Sequence, residues 1–347
     1  HTGIEKSCED QQYWKVIPFV ERMDYLAYYF NAMAYCMAVE RLLDLDVPPR
    51  AQYLRVIHLE LNRIASHLFW LATAALDLGA VTFLWWGIRE RELVLDLFEM
   101  SSGQRLHTRY FQIGGVFEDI PPGWEQKVRE FIRIFPERLE QYQALLDHNE
   151  IWLQRTRNVG ILTQERLLEL GVTGPLLRCS GIPWDLRKAM PYSSYEHFDF
   201  KIPVGKVGDH YDRYRVRIEE MRESLKIVEQ ALDGLPEGPF VADDRKYVLP
   251  PRHELATSME SLIHHFKLVT EGFRVPPGEA YVAVESPRGE LGCFVVADGS
   301  AKPSRVHVRD PSFVNLQSLA PMAEGTLIAD AIASTAMLDP ILGGTDR

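Results

Sequence analysis

At 347 residues the chain is long enough for one large body or about two domains, and for a sizeable core. Hydrophobic residues make up 46% and charged residues 25%, which excludes disorder, collagen and coiled coil. A net charge of −11 argues against a nucleic-acid backbone as partner. The four cysteines, Cys8, Cys36, Cys179 and Cys293, form no CxxC pair, so neither a disulfide framework nor a cysteine-held metal is expected. Reduced, intracellular surroundings fit that usage. The chain opens on His1 with no basic-then-apolar leader, and a segment upstream of it is expected.

In chain order, the run over 23–45 is apolar almost all round and predicts a buried helix, broken by Pro48 and Pro49. A second helix is expected over about 50–78 with Gly79 as its C′ residue, a third over 82–102, and a fourth from the Pro121-Pro122 turn to about 148. Long helices with short connections pack as antiparallel neighbours, so 1–150 reads as a helical bundle. The stretch 151–208 is rich in Gly and Pro and reads as irregular with short helical pieces. A strong amphipathic helix follows, with Glu219 and Glu223 facing Arg215 and Arg222, then a shorter helix after Pro250-Pro251. YVAVES, a turn at Pro287-Arg288-Gly289 and CFVVAD predict a β-hairpin, with RVHVRD as a third strand. A last helix ends near Leu338, before Pro340. The fold class is therefore mostly α with small β elements (α+β), in one body of 1–347: bundle, irregular middle, helices over 209–272, and a β element plus helix over 273–347.

The stretch 68–87 holds 20 residues with one charge, Asp77, and by length alone could span a bilayer. A break at Gly79–Thr82, an amphipathic helix before it and the lack of a second span favour a buried bundle corner packed against partners. No GxSxG, P-loop, GxGxxG after a strand or HExxH occurs. His67 and His264-His265 read as ordinary helix histidines, and the IRERE run as a solvated or inter-helix ion-pair face.

Asp77 stands apart. An anion in an apolar stretch and in the last turn of a helix carries two costs, which predicts either a buried cation partner or a raised pKa with a proton-handling role. Arg22, Asp24 and Tyr25 form a compact group at a helix start behind Pro18, where Asp24 favours the helix dipole and Arg22 forms an ion pair. His107 lies between Arg105 and Arg109 near a Gly-Gly turn, and positive neighbours should lower its pKa.

Taken in order, HTGIEK, RMDYL, ELNRIASHL, LDLGAVT, RERE, DLFE, IGG, SGIPWDLRK, RIEEMRES, ESPRGELG, PSFVNLQSL and the closing DP…DR span the whole chain. Together they resemble the 49-kDa-type (D-type) subunit of respiratory complex I, the proton-pumping NADH:quinone oxidoreductase, in a bacterial spelling. The resemblance implies a fold shared with nickel–iron hydrogenase large subunits, a wall of the quinone chamber, and coupling of quinone reduction to proton pumping. It implies a translocase subunit with no complete active site of its own and no NADH or flavin site. The terminal iron–sulfur cluster would belong to the neighbouring B-type subunit, with the C-type subunit of the peripheral arm and the H-type subunit of the membrane arm as further partners. Its place would be peripheral, on the cytoplasmic side of the bacterial inner membrane.

Residue by residue, the resemblance makes Tyr25 the quinone's hydrogen-bond donor and Asp77 a carboxylate of the chamber that pairs with a histidine. Asp339 matches the family's C-terminal DP and joins them at the quinone; Arg22 and His107 sit near the terminal cluster. The two places where hydrogenases carry CxxC hold Asp24 and Ala27, and Ile341 and Gly344, so no nickel is expected. Thr2 replaces an arginine of the mitochondrial relatives, and the histidine that faces Tyr25 lies on a hairpin upstream of residue 1. The alternatives are a non-catalytic hydrogenase-like scaffold, or the equivalent subunit of a complex fed by another electron donor.

Overall fold

In the computed structural model, which describes residues 3–347, the architecture is mostly helical with a small antiparallel sheet on one side. Thr2 and its contacts lie outside the described residues. Two short helices, α1 (Ile4–Glu9) and α2 (Tyr13–Val20), precede α3 (Tyr28–Leu43), α4 (Pro49–Asp77) and α5 (Val81–Ser102). A two-residue hairpin, β1 (Phe111–Gln112) and β2 (Gly115–Val116), leads to α6 (Trp124–Leu146). The middle carries α7 (Glu150–Thr156), α8 (Gln164–Glu169), α9 (Pro175–Arg178) and α10 (Leu186–Ala189), none longer than two turns. Next come α11 (His210–Asp233), α12 (Met259–Thr270), β3 (Gly278–Ser286), β4 (Gly289–Ala297) and β5 (Arg305–Arg309). Four helices close the chain: α13 (Pro311–Asn315), α14 (Leu319–Ala323), α15 (Ile328–Leu338) and α16 (Leu342–Asp346).

The long helix α4 is the axis of the molecule, packed by α5, α11, α3 and α15. Twenty-one of its residues, from Ala51 to Ala75, are buried, charged ones included. Pro49 opens it at a first-turn position, where a missing N–H costs nothing. It ends in a Schellman motif: Gly79, at φ 91°, donates to Leu76 O, and Ala80 donates to Ala75 O. The apolar stretch 68–87 is thus the corner between α4 and α5. No described helix is long and apolar enough to cross a membrane.

Two expectations need correction. The buried helix expected over 23–45 begins only at Tyr28, because the Asp24 carboxylate takes the N–H groups of Leu26 (3.2 Å) and Ala27 (2.9 Å) and holds the chain in a turn. It stops at Leu43, where Asp44 adopts a left-handed conformation, so Pro48 and Pro49 start the next helix rather than ending this one. The expected β-hairpin forms, but its turn is only Pro287-Arg288: Gly289 pairs with Ser286 and opens β4, four residues before Cys293. On α11, Arg222 pairs with Glu219 (2.5 Å), but Glu223 pairs with Lys226 instead. Its inner face carries Arg213, Arg217 and Glu220, all buried.

Candidate functional site

The segment 21–27 between α2 and α3 is the centre of the candidate site. Met23, Asp24, Leu26 and Ala27 face inward, while Arg22 and Tyr25 face out, Tyr25 with 40% of its surface exposed. Inward, Asp24 is bound by the Arg288 guanidinium (Nη1 to Oδ2, 2.8 Å), which sits in the β3–β4 turn. The same guanidinium donates to Asp339 Oδ1 at 3.0 Å, to the Asp339 carbonyl at 2.9 Å and to Ser66 Oγ on α4 at 3.2 Å. One arginine therefore ties the 21–27 turn, α4, the hairpin and the end of α15 into a single buried knot.

Asp339 adopts a left-handed conformation (φ 55°) as the C-cap of α15, a strained choice for a non-glycine residue that aims its carboxylate at Arg288. Burial and the nearby Asp24 push its carboxyl up, against the pull of Arg288 and Arg217. A third carboxylate, Asp310, caps α13 through Ser312 N (2.7 Å), and burial with Asp24 beside it raises it to about 6. The C-terminal 341–344 segment closes the knot. A Cβ at Gly343 would lie 2.5 Å from Met23 O, and one at Gly344 2.1 Å from Asp310 Oδ2. The 24–27 and 341–344 stretches, far apart in sequence, thus meet around Asp24, Asp310 and Arg288. Asp24 has its two oxygens engaged by backbone N–H groups and by the guanidinium, and the other three positions offer no side-chain donor.

His107 approaches from the segment after α5. Its ring lies 5.5 Å from that of Tyr28, and both His107 (φ 52°) and Arg109 (φ 50°) are left-handed. The strain aims the Arg109 N–H at the fully buried Glu21 carboxylate, 3.1 Å from each oxygen. Burial raises Glu21 to about 7, opposed by that hydrogen bond and by the charges of Arg22 and Arg109. His107 is lowered as expected, but burial is the largest cause and Arg22 the second. Arg105 is instead paired with Glu92 and Asp96, and Arg109 lies 4.9 Å over the Trp14 ring.

Three further expectations change. Arg22 donates to Pro18 O at 2.6 Å rather than forming the expected ion pair, which belongs to Asp24 and Arg288. Pro18 lies inside α2 and does not precede a helix start. Asp77 is not buried: it is the last residue of α4, exposed at the corner, with no ion-pair partner among the described residues. Eleven residues of helix separate it from Ser66, roughly 16 Å along the axis, so the fold does not bring it into the Arg288 knot. In the IRERE run Glu90 is buried and accepts from the Tyr142 hydroxyl on α6, as an inter-helix contact. Arg288, Asp310 and Glu21 escape sequence reading, because only the folded chain shows them converging on Asp24, Asp339 and Arg109.

A model of the respiratory-chain NADH dehydrogenase 49-kDa subunit matches residues 77–347. The chain belongs to that family. It is 55% identical over 350 residues to the second D-type NADH-quinone oxidoreductase subunit of Chloroflexus aurantiacus, covering all of this chain and 85% of the relative. The D-type subunit of Acidothermus cellulolyticus is 51% identical over 365 residues (all of this chain, 83% of the relative), and the first D-type subunit of Solibacter usitatus 52% over 347 (all and 85%). As a complex I subunit of this family, the chain has other subunits of the respiratory NADH dehydrogenase as its partners. Its fold is α+β, and no described helix is long and apolar enough to cross a membrane.

Proposed function

We propose that this chain forms, together with the neighbour that holds the terminal iron–sulfur cluster, the site where quinone is bound and reduced, and that it couples the reduction to proton translocation. The observation that carries this reading is the 21–27 turn. Its inner half is locked by Arg288, while its outer half presents Tyr25 and Arg22 to whatever lies against that face. A rigid support under an exposed donor is what a reduction site requires. A quinone that takes two electrons takes two protons as well, and donors aimed at its oxygens stabilise the developing charge. The Tyr25 hydroxyl can hydrogen-bond one quinone oxygen; Arg22 and His107, on the same side, face the neighbour's cluster. The hydrogenase-like ancestry has support in the meeting of the 24–27 and 341–344 stretches, without a thiolate at either.

In this reading the B-type, C-type and H-type neighbours surround the chain on the cytoplasmic side of the bacterial membrane, and the chain ligates no cofactor itself. Asp339 borders the chamber through Arg288. Asp77, exposed at an apolar corner beside Leu78, Val81 and Trp85 (67% exposed), becomes buried only when a partner covers that corner. The cost of an isolated buried anion then arises in the complex, and an electrostatic response to quinone reduction follows from it. Tyr25→Phe in the assembled complex tests the site: turnover with native quinone should fall roughly 100-fold, as for one lost transition-state donor, with the cluster still reducible. Wild-type turnover in that variant would refute the assignment.

A further inference from the structure

Arg109 and Trp14 also wall a cavity of about 720 Å³, a volume within the range of small-molecule sites. Three further pieces of chain complete it: the β1–β2 hairpin, the 239–252 connection between α11 and α12, and the inner face of α12. The connection is fixed to the hairpin. Val116 N donates to Phe240 O (3.0 Å), and Ala242 N donates to Gly114 O (2.8 Å), so 240–242 runs as a short added strand. Gly115, at φ 154°, permits that approach, since a Cβ there would lie 2.4 Å from Phe240 O. Of the twelve residues of α12 only Ser261 and Leu268 are buried, so this helix covers the cavity without filling it.

The walls are mainly apolar, built from Trp14, Val116, Phe240, Tyr247, Leu268 and Phe273. Tyr247 packs edge-on against Phe273, with ring centres 5.7 Å apart. Such walls favour an apolar ligand body, which leaves water on entering.

The charged groups on the wall differ in their partners. Arg245 pairs with Glu254 at 2.7 Å, Asp244 accepts from the Lys246 N–H at 2.8 Å, and Glu118, Asp243 and Arg252 are exposed to water. Arg109 stands apart from these. Its guanidinium lies 4.9 Å over the Trp14 ring, its Nε is buried without a hydrogen-bond partner, and it forms no ion pair among the described residues. Glu21 takes the Arg109 main-chain N–H, not the guanidinium. Burial is the largest influence on the Arg109 charge and disfavours it, with Glu21 pulling the other way. A guanidinium stacked on an indole, with donors that the chain leaves unused, suits a carboxylate or phosphate, whose oxygens it can bind in pairs.

We propose that this cavity binds an anionic amphiphile: a molecule with an apolar body, seated against Phe240, Tyr247, Leu268 and Phe273, and one carboxylate or phosphate head on Arg109. Nothing in this assignment depends on where quinone is reduced, so it and the function proposed above stand or fall separately.

The test is photolabelling of the assembled complex with dodecanoic acid carrying a diazirine in its chain. Saturable labelling should fall on this chain, on peptides holding Trp14, residues 239–252 or residues 259–273, and unlabelled dodecanoate should displace it. Dodecyl phosphate is the second competitor: displacement by either anion supports the site, and the tighter one identifies the head group. Dodecanol, with the same body and no charge, should compete roughly tenfold more weakly or worse, and Arg109→Gln should weaken labelling by a similar factor. The Arg109 side chain has no partner to strand, so that variant should assemble; the dodecanol comparison decides the role of the charge in the wild-type complex regardless. Val269→Trp, which places an indole on the α12 wall, should reduce labelling with Arg109 in place. Equal displacement by dodecanol, or labelling unchanged by Arg109→Gln, overturns the anion seat. Displaceable labelling confined to other subunits, or to parts of this chain away from the cavity, overturns the site itself.

Discussion

The middle of α4 and its C-terminal end carry the same kinds of residue in opposite circumstances. Glu60, Arg63, Ser66 and His67 are fully buried, and each finds partners from elements more than 100 residues away. Asp77 is exposed among apolar neighbours and pairs with nothing among the described residues. Charge that the fold encloses must be matched within the chain, because removing one partner strands the other. Charge and apolar surface left at a rim are available to another molecule. The exposed Tyr25 and Arg22, on a turn supported from below, belong to the second class.

That contrast is broken or sharpened by substitutions graded in effect. Arg288→Met strands Asp24 and Asp339 and should cost about 3–5 kcal/mol, read as loss of assembled complex or a large drop in its melting point. An unchanged melting point would place the knot among dispensable contacts. Glu21→Gln comes next. Because its carboxyl is raised to about 7, Glu21 contributes stability below its ordinary 4.5 that is lost as pH rises through 7. The variant should therefore gain on wild type across that interval, by up to about 3 kcal/mol. A gap independent of pH would contradict the assignment.

Gly344→Ala drives a methyl group into the Asp310 carboxylate and should cost about 1–3 kcal/mol by denaturant or thermal unfolding. The smallest structural effect belongs to Asp77→Asn, within about 0.5 kcal/mol because nothing among the described residues pairs with that charge. Its consequence should instead appear in proton translocation by the assembled complex. Full pumping in that variant, with quinone reduction intact, would separate Asp77 from coupling.

Much of the fold was legible. Gly79 reads as a helix end and is one; the hairpin expected around 287–289 forms too, with a turn one residue shorter than expected. What was not legible depends on distant partners. Glu60, Arg63 and His67 at i, i+3 and i+7 look like a solvated helix face, and only residues 178–187, 220 and 285 turn that face into the core. The break at 24–27 lies inside an apolar run, and a single carboxylate binding two backbone N–H groups decides it. Asp77 misled for the converse reason: the helix end and the apolar corner are legible, but not that the described residues leave that corner uncovered.

The central claim is that quinone is reduced beside the exposed half of the 21–27 turn. A photoreactive quinone analogue, activated in the assembled complex and displaced by native quinone, tests it most directly. The account predicts a displaceable adduct on the 22–27 peptide, centred on Tyr25 and weakened by Tyr25→Phe. Displaceable labelling confined to other subunits, or to parts of this chain remote from that turn, would contradict it.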